Sequence, residues 1–389
     1  MTMLDHSRLM SKQHSDGGWG LVPIQSRAGR FSSYDVADFE PVTTFDAEWK
    51  YTPIKSLGAL LDGELDGSRY DFTIDADGVT AEWAARTDAR IGSVSTPEER
   101  GSANAWTRFQ DALVITVTGD EPVRATVARS ALGTTARAAH TIIDAKPNSN
   151  GIVILDNSGE VHLSENVEIS VGDGARLTVV SVQDWAPTGI HLATHFAKIG
   201  RDAFLKHVVV SLDGSIVRVN TNAHLVGEGG DVELLGVYFA DAGQHFEQQV
   251  FIDHDAPHTK SRSSYRGALQ GQDARAVWIG DVLIRPSAPG TDSYEENRNL
   301  LLTEGTRADS VPNLEIETGD IAGAGHASAS GRFDDEQLFY LQSRGMPEEE
   351  ARRLVVRAFL SAIIQKIGVP EIQERLEAAI EAELRGSAS

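Results

Sequence analysis

The stretch that decides the fold reads Asn299-Leu-Leu-Leu-Thr-Glu-Gly-Thr-Arg-Ala-Asp-Ser-Val-Pro-Asn-Leu-Glu-Ile-Glu-Thr-Gly-Asp320 and continues into Ile321-Ala-Gly-Ala-Gly-His326. Short segments of high β-propensity alternate here with turn residues, which is typical of successive short strands. A helical pattern begins soon after His326, so a strand-rich scaffold is predicted to give way to a helical tail at this junction. We expect the functional residues of the chain to lie near it.

The strand pattern extends back from this stretch to about residue 78. Runs rich in Val, Ile, Leu and Thr are separated by turns such as Asp173-Gly174 and Asp213-Gly214. The clearest runs lie at 151–155, 167–171, 177–182, 208–212, 216–225, 232–239, 249–253, 259–269, 276–284 and 314–317. Because no convincing amphipathic helix of ordinary length interrupts them, a sandwich, a large barrel, a propeller or a β-solenoid is predicted. No strict repeat chooses among these four.

The last sixty residues are predicted to be helical. The residues that mark the start, the apolar face and the end of a first helix are Asp334, Leu338, Phe339, Leu341 and Gly345. A second helix starts at Pro347 and a third at Pro370, and apolar residues recur in both at spacings of three and four. These apolar stripes must be buried, either on the β scaffold or on a partner subunit, and both interpretations stay open.

Composition narrows the class of protein. The chain has 389 residues, enough for two or three domains or one elongated scaffold, and a formal net charge of −22. Such an acidic surface repels phosphate backbones, so neither nucleic acid nor an anionic membrane is an expected partner. There is no cysteine, which excludes disulfides and thiolate ligands from this chain. Without an apolar signal sequence or a run of eighteen apolar residues, a cytoplasmic location is expected.

Two motifs outside the junction resemble binding sites. The glycines of Gly227-Glu-Gly-Gly230 lie between two strand runs, so a tight turn is predicted rather than a phosphate cradle, which needs a following helix. His254 and His258 would lie about 13 Å apart in one straight strand, although Pro257 allows a bend; a structural turn and a metal or substrate site both stay open. The remaining histidines within strand runs, His207, His224 and His245, are interpreted as scaffold residues.

His326 differs from these because Gly323-Ala-Gly-His-Ala-Ser-Ala-Ser-Gly331 surrounds it with very small side chains. Such a segment lets another backbone or an inorganic cluster approach the imidazole closely. A neutral imidazole is a good ligand for iron or zinc, but one histidine makes no complete site. A metal ligand that shares its ion with a second chain and a structural loop residue are therefore both compatible with the pattern.

Several longer segments carry a resemblance to a known family. They are Glu48-Trp-Lys-Tyr-Thr-Pro53, Gly227-Glu-Gly-Gly-Asp-Val-Glu-Leu-Leu-Gly-Val-Tyr-Phe239, Asp253-His-Asp-Ala-Pro-His-Thr259, Glu296-Asn-Arg-Asn-Leu-Leu-Leu302, Pro312-Asn-Leu-Glu-Ile316 and Gly325-His-Ala-Ser-Ala-Ser-Gly-Arg-Phe-Asp-Asp-Glu-Gln-Leu-Phe-Tyr-Leu-Gln-Ser-Arg-Gly345. In wording and order they resemble the SufD scaffold proteins of the SUF iron–sulfur cluster assembly machinery, within the SufB/SufD family.

The resemblance implies a mainly β fold, a right-handed parallel β-helix core with a small N-terminal region and a C-terminal helical domain. The expected divisions are 1–80, 81–322 and 323–389. It also implies a non-catalytic scaffold that pairs with a SufB paralogue through the β-helices and binds the SufC ATPase, which supplies ATP hydrolysis. A homodimer of the isolated chain is left open.

The same resemblance assigns roles to residues. His326 matches a family histidine that helps to form or hold the nascent cluster, or admits iron, at the junction with SufB. The cluster would be transient and shared, with none permanently bound by this chain alone. Many relatives place a cysteine two residues earlier, where this chain has Ala324 and one extra residue after Asp320, so thiolate roles would fall to SufB. The expected docking residues for the ATPase are Asp334, Glu336, Leu338, Phe339, Tyr340, Leu341, Arg344 and Gly345.

Two other functions remain as alternatives. The first is a structural adaptor in which His326 only packs a turn and no metal is involved. The second is a parallel β-helix enzyme acting on carbohydrate, which would need clustered carboxylates or basic residues on one face of the solenoid.

Overall fold

The computed structural model describes residues 27–130, 132–332 and 335–386. Its strands are β1 (Thr73–Asp77), β2 (Val79–Ala85), β3 (Asp111–Val117), β4 (Val123–Ser130), β5 (Arg137–Ala145), β6 (Asn150–Gly159), β7 (His162–Val171), β8 (Arg176–Trp185), β9 (Ile190–Ile199), β10 (Phe204–Asp213), β11 (Ile216–Leu225), β12 (Asp231–Ala240), β13 (His245–His254), β14 (Lys260–Leu269), β15 (Arg275–Ile284), β16 (Thr291–Leu301), β17 (Arg307–Ile316) and β18 (Ile321–Arg332). Its α-helices are α1 (Gly58–Asp62), α2 (Arg100–Arg108), α3 (Asp335–Ser343), α4 (Glu348–Ile367) and α5 (Pro370–Gly386).

The strands form two nine-stranded sheets that face each other. From β4 onward the even-numbered strands build one sheet and the odd-numbered strands from β3 onward build the other, all pairing in parallel. Consecutive strands in the chain therefore alternate between sheets, as in a solenoid. This confirms the β-helix among the four architectures that the strand pattern allowed. The number of residues in one turn of the solenoid varies, as the separations of the ladder partners Asn150 and Arg176 and of Lys260 and Asp292 show. The sequence therefore has no fixed repeat.

The two ends of the solenoid differ. At the first end, the short strands β1 and β2 pair antiparallel with β4 and β3. At the other end, the longer strands β17 and β18 are the outermost strands of the two sheets in the described parts of the chain. Both are parallel to their single neighbours β15 and β16. One edge of each sheet is thus left with a full-length strand.

The interior between the sheets is only partly apolar. Val, Ile and Leu side chains form its main cluster, together with Trp185, Tyr238, Tyr265 and Trp278. Buried polar side chains lie in the same space, among them the ion pair of Arg129 with Glu165 (2.6 Å). Because a buried charge is tolerated only when it is paired, these networks hold the polar interior together.

Helices α4 and α5 pack on the outer face of the even-numbered sheet. Residues Leu360, Ile363 and Leu376 belong to one buried cluster with sheet residues such as Val208 and Val237. Arg375 anchors α5 through ion pairs to Asp156 (2.6 Å) and Asp184 (2.7 Å). The apolar stripes are therefore buried on the scaffold, which is the first of the two interpretations that the sequence left open.

The N-terminal region covers the outer face of the odd-numbered sheet. Trp49, Leu57 and Leu60 form a buried cluster with Leu192 and Ile216 of that sheet. Helix α2 joins this layer, and the side chain of Glu99 accepts the backbone N–H of Ser102 as its N-cap. This nine-residue helix corrects the expectation that no helix interrupts the β block; it is short enough to escape a search for periodicity.

The strand bounds bear on the expected divisions of the chain. Strands β1 and β2 fall on either side of residue 78, and β18 runs across the expected boundary between 322 and 323. The β region therefore continues to Arg332, and the helices start at Asp335. His326 consequently belongs to the β-helix rather than to a connection.

A buried histidine pair is expected to make the fold acid-sensitive. His195 Nδ1 lies 2.8 Å from His207 Nε2, and burial lowers the pKa of His195 to about 4 and that of His207 well below its usual range. Since the unfolded chain takes up these protons at about pH 6.5, stability should fall as pH drops from 6.5 toward 4. Each histidine contributes a slope of up to about 1.4 kcal/mol per pH unit.

Urea unfolding measured between pH 7 and pH 4.5 checks this expectation. His207→Gln should flatten the dependence relative to the wild type. Equal slopes for His207→Gln and the wild type would remove the buried pair as the cause.

Candidate functional site

His326 lies in the middle of β18, the last strand of the even-numbered sheet. Its Cα pairs with Glu295 of β16. The sequence placed it in a loop of small residues at a strand-to-helix transition; the structure corrects this, because the small residues form an edge strand. Register shifts at the start of the pair, where Thr291 faces Ile321 and Asp292 faces Gly323. The extra residue noted after Asp320 is thus absorbed as a bulge at Ala322.

The side chain of His326 is on the inner face of its sheet. Inner and outer positions alternate along a strand, and in β16 the buried inner residues are Ser293, Glu295 and Asn297. Residues paired in a parallel ladder point to the same side, so His326 shares the inner side with Glu295. It is nevertheless exposed, because no further rung covers it. An imidazole is therefore exposed at the open end of the solenoid.

Glu295 lies directly below His326, one rung into the interior. Its side chain is buried, with 1% of its surface exposed, and neither carboxylate oxygen has a hydrogen-bond partner in the described parts of the chain. Burial, and to a smaller extent the charge of Asp281, raises the pKa of Glu295 to about 8. The acid is therefore held largely protonated at neutral pH unless a positive charge joins it.

Further polar atoms around Glu295 also lack partners. Ser263 Oγ and Trp278 Nε1 are buried without a hydrogen bond among the described residues. Nowhere in residues 27–130, 132–332 and 335–386 do three His, Cys, Asp or Glu side chains converge in a way that could hold a metal ion. The open end therefore combines one exposed imidazole and one buried carboxyl, fewer ligands than a complete metal site needs.

Comparison with known proteins gives this geometry a context. Residues 127–359 match the family model described as SUF system FeS cluster assembly, SufBD core domain. That segment includes β18 and His326. The chain belongs to the SufBD family.

Relatives extend the SufBD match over nearly the whole chain. An iron-sulfur cluster assembly SufBD family protein of Mycobacterium tuberculosis is 50% identical over 366 residues, covering 91% of this chain and 92% of the relative. The iron-sulfur cluster assembly protein SufD of Bacillus subtilis is 28% identical over 256 residues, 63% of this chain and 57% of the relative. SufD of Escherichia coli is 26% identical over 220 residues, 57% of this chain and 52% of the relative. The match confirms the resemblance seen in the sequence, and no helix in the described parts is long and apolar enough to cross a membrane.

Ala324 occupies the position where many SufBD relatives were expected to carry cysteine. It lies on the inner face of β18 and packs against the apolar interior. A methyl group there supplies packing but no sulfur ligand. Any thiolate at this end must come from another molecule.

The expected ATPase-docking residues lie on or beside α3. Asp334 lies outside the described residues, and Glu336 falls within the helix. Leu338 is buried, but the rings of Phe339 and Tyr340 are 73% and 57% exposed. Leu341 is partly buried and Arg344 is exposed, its guanidinium 5.2 Å from the Tyr340 ring. Gly345 has φ of 92°, which fits its predicted role in ending the helix.

The other candidate motifs are structural. His254 is buried and both of its ring nitrogens are occupied, by Thr259 (2.8 Å) and Ser261 (2.9 Å), whereas His258 occupies the following turn with φ of 57°. The segment at 227–230 is a turn between β11 and β12, closed by the N–H of Gly230 donating to the carbonyl of Gly227. The sequence missed Glu295, because β16 carries polar residues on both faces and no alternation marks the inner one.

Proposed function

We propose that this chain is a non-catalytic scaffold subunit for iron–sulfur cluster assembly, with a SufB-like paralogue bound at its open end and a SufC-like ATPase on its C-terminal helices. The observation that carries the proposal is the position of His326, exposed on the last inner rung of a β-helix. The cluster, or its iron, is cargo held at the junction of the two subunits. We place this assembly in the cytoplasm.

The edge strands support a partner of the same fold. Strands β17 and β18 have ten and twelve residues, and each has a sheet neighbour on one side only in the described parts of the chain. A long unpaired edge is a template for strand addition by another chain. A second β-helix could continue both sheets at once and would bring its own side chains opposite His326. Sulfur ligands would come from that partner, because this chain has no cysteine.

The C-terminal helices support an ATPase partner. The exposed rings of Phe339 and Tyr340 provide the apolar contact that a docking surface needs. Motion imposed on them would reach the scaffold, because α4 and α5 are fixed to it by Arg375 and by Lys206, whose ammonium donates to the carbonyl of Lys366 (2.8 Å). Nucleotide-driven movement of the ATPases would therefore strain the subunit junction and open the site around His326.

Proline substitutions at two adjacent positions test the pairing. In an extended strand successive N–H groups point to opposite sides, so one of Ala327 and Ser328 directs its N–H to β16 and the other to the free edge. Proline at the first kind of position breaks the chain's own sheet, whereas proline at the second removes only a hydrogen bond to a partner. Pro312 already shows that an edge strand of this solenoid accepts proline.

The measurement is co-purification of each variant with the paralogue, alongside its own melting temperature. We expect one of the two variants to keep the wild-type melting temperature and lose at least tenfold in affinity for the paralogue. If the variant that remains stable binds the paralogue as well as the wild type does, pairing through this edge is wrong.

A further inference from the structure

The inner face of the last two rungs has a feature that the exposed histidine alone does not explain. The charged carboxyl groups buried elsewhere in the solenoid have cationic partners: Glu165 contacts Arg129 and His191, and Glu247 contacts Arg218. Glu295 has no ion pair and no hydrogen bond in the part of the chain that the structure describes. A buried, unpartnered carboxyl is costly, and a bound cation would offset that cost.

The carboxyl of Glu295 reaches toward the facing sheet, where a glycine makes room for it. Gly280 of β15 has no side chain, and a Cβ built on it would stand 2.5 Å from Oε2 of Glu295 and 2.3 Å from the Trp278 ring. Any other residue at position 280 would push the carboxylate out of place. The glycine therefore leaves the room that Glu295 occupies, and the carboxylate lies between the sheets rather than against its own strand.

We propose that Glu295 and His326 together form this chain's half of a binding site for a divalent metal ion of the iron(II) class. They lie on neighbouring strands, which are about 4.8 Å apart, and on the same face, so one ion can bridge a carboxylate oxygen and an imidazole nitrogen. A mixed oxygen and nitrogen donor set suits iron, cobalt or zinc. The remaining coordination positions face the open end of the solenoid.

Binding of the metal ion displaces the proton of the Glu295 carboxyl. The ion takes a lone pair from a neutral imidazole nitrogen and one from the carboxylate, and the proton carried by the Glu295 carboxyl leaves to solvent. An ion held by only two protein ligands is bound weakly and keeps vacant coordination positions. Both properties suit an ion that is passed on to a shared cluster. Only the assignment of the ion as cluster iron, and of the missing ligands to a paralogue, rests on the proposed function.

Titration of the isolated full-length chain, without an affinity tag, tests the site. Cobalt(II) serves as the probe because its visible absorption reports nitrogen and oxygen ligands, and anaerobic iron(II) competes for the same position. We expect one equivalent to bind, and Glu295→Gln and His326→Ala each to weaken the affinity about tenfold or more. The matched control is Glu296→Gln, on the outer face of the same strand and hydrogen-bonded to Ser264 (2.8 Å), which should bind as the wild type does.

The outcomes separate this site from the scaffold function. Wild-type affinity in Glu295→Gln, or no binding of cobalt(II) by the wild-type chain, would overturn the site. The melting temperature of Glu295→Gln shows whether the variant is folded, and Glu295→Asp, which shortens the same ligand, should bind with intermediate affinity. If the proline variants show that no paralogue pairs at this end while cobalt(II) still binds through both residues, the site stands and the proposed function fails.

Discussion

His326→Ala is expected to reduce the yield of transferred iron–sulfur cluster by roughly tenfold or more, the range seen when a metal-tuning residue is lost. The imidazole is exposed at the open end of the β-helix and has no substitute there, since Ala324 and Ser328 on the same inner face offer no comparable ligand. Because the side chain is exposed, the variant should still fold and form the complex. The measurement is iron and sulfide content, with transfer to an apo-acceptor, for the reconstituted complex.

Two controls make the His326→Ala result specific. Ser328→Ala removes a neighbouring inner side chain, whose hydroxyl donates to Ser310 (2.8 Å), and should retain wild-type transfer. His224→Ala removes a half-exposed imidazole from the other sheet and should also retain wild-type cluster transfer. Wild-type cluster yield in His326→Ala would leave the structural adaptor as the better description of the chain.

Arg218→Met is expected to destabilise the protein by roughly 3–5 kcal/mol, the cost of breaking a buried ion pair from one side. The guanidinium of Arg218 is 1% exposed and pairs with Glu247 (3.1 Å) and Glu99 (3.2 Å). It also lies 4.0 Å from the centre of the Trp49 ring. The substitution leaves both carboxylates buried without their cation and loosens the N-terminal layer from the odd-numbered sheet.

Urea unfolding of the variant measures the loss, and limited proteolysis should cut the N-terminal layer first. Arg201→Met is the control at an exposed ion pair. Its guanidinium lies 3.4 Å from Glu228, and the two side chains are 61% and 49% exposed, so solvent screens the interaction and the expected loss is below about 1 kcal/mol. Equal losses in the two variants would show that burial does not set the energetic difference between the two ion pairs.

The sequence predicted the existence of the strands better than their lengths. The run at 151–155 is apolar, but β6 extends through Asp156 and Asn157 to Gly159, because polar side chains are tolerated inside this solenoid when they find partners. Asn157, for example, accepts a hydrogen bond from Arg129. Such residues interrupt the apolar pattern without ending the strand. The parallel, two-sheet arrangement came from the family resemblance, since rungs of unequal length leave no period to read.

The site was only half visible in the sequence. His326 was found by its small neighbours, although they indicated a loop rather than an edge strand. Glu295 was hidden because a carboxylate in a strand is usually exposed, and only the pairing of β16 with β18 shows that it lies under His326. The apolar stripes of α4 and α5 were correctly seen as faces to be buried, but periodicity cannot name the surface that buries them.

The unequal ends of the solenoid set a limit on growth. At its beginning, β1 is only five residues long and carries Asp75 and Asp77, and short, charged edge strands discourage further strand addition. If the free edges of β17 and β18 pair as proposed, each molecule has one end that can add strands, and two molecules joined at these ends leave no such edge free. Association would then stop at a closed pair and would not continue into fibres of stacked β-helices.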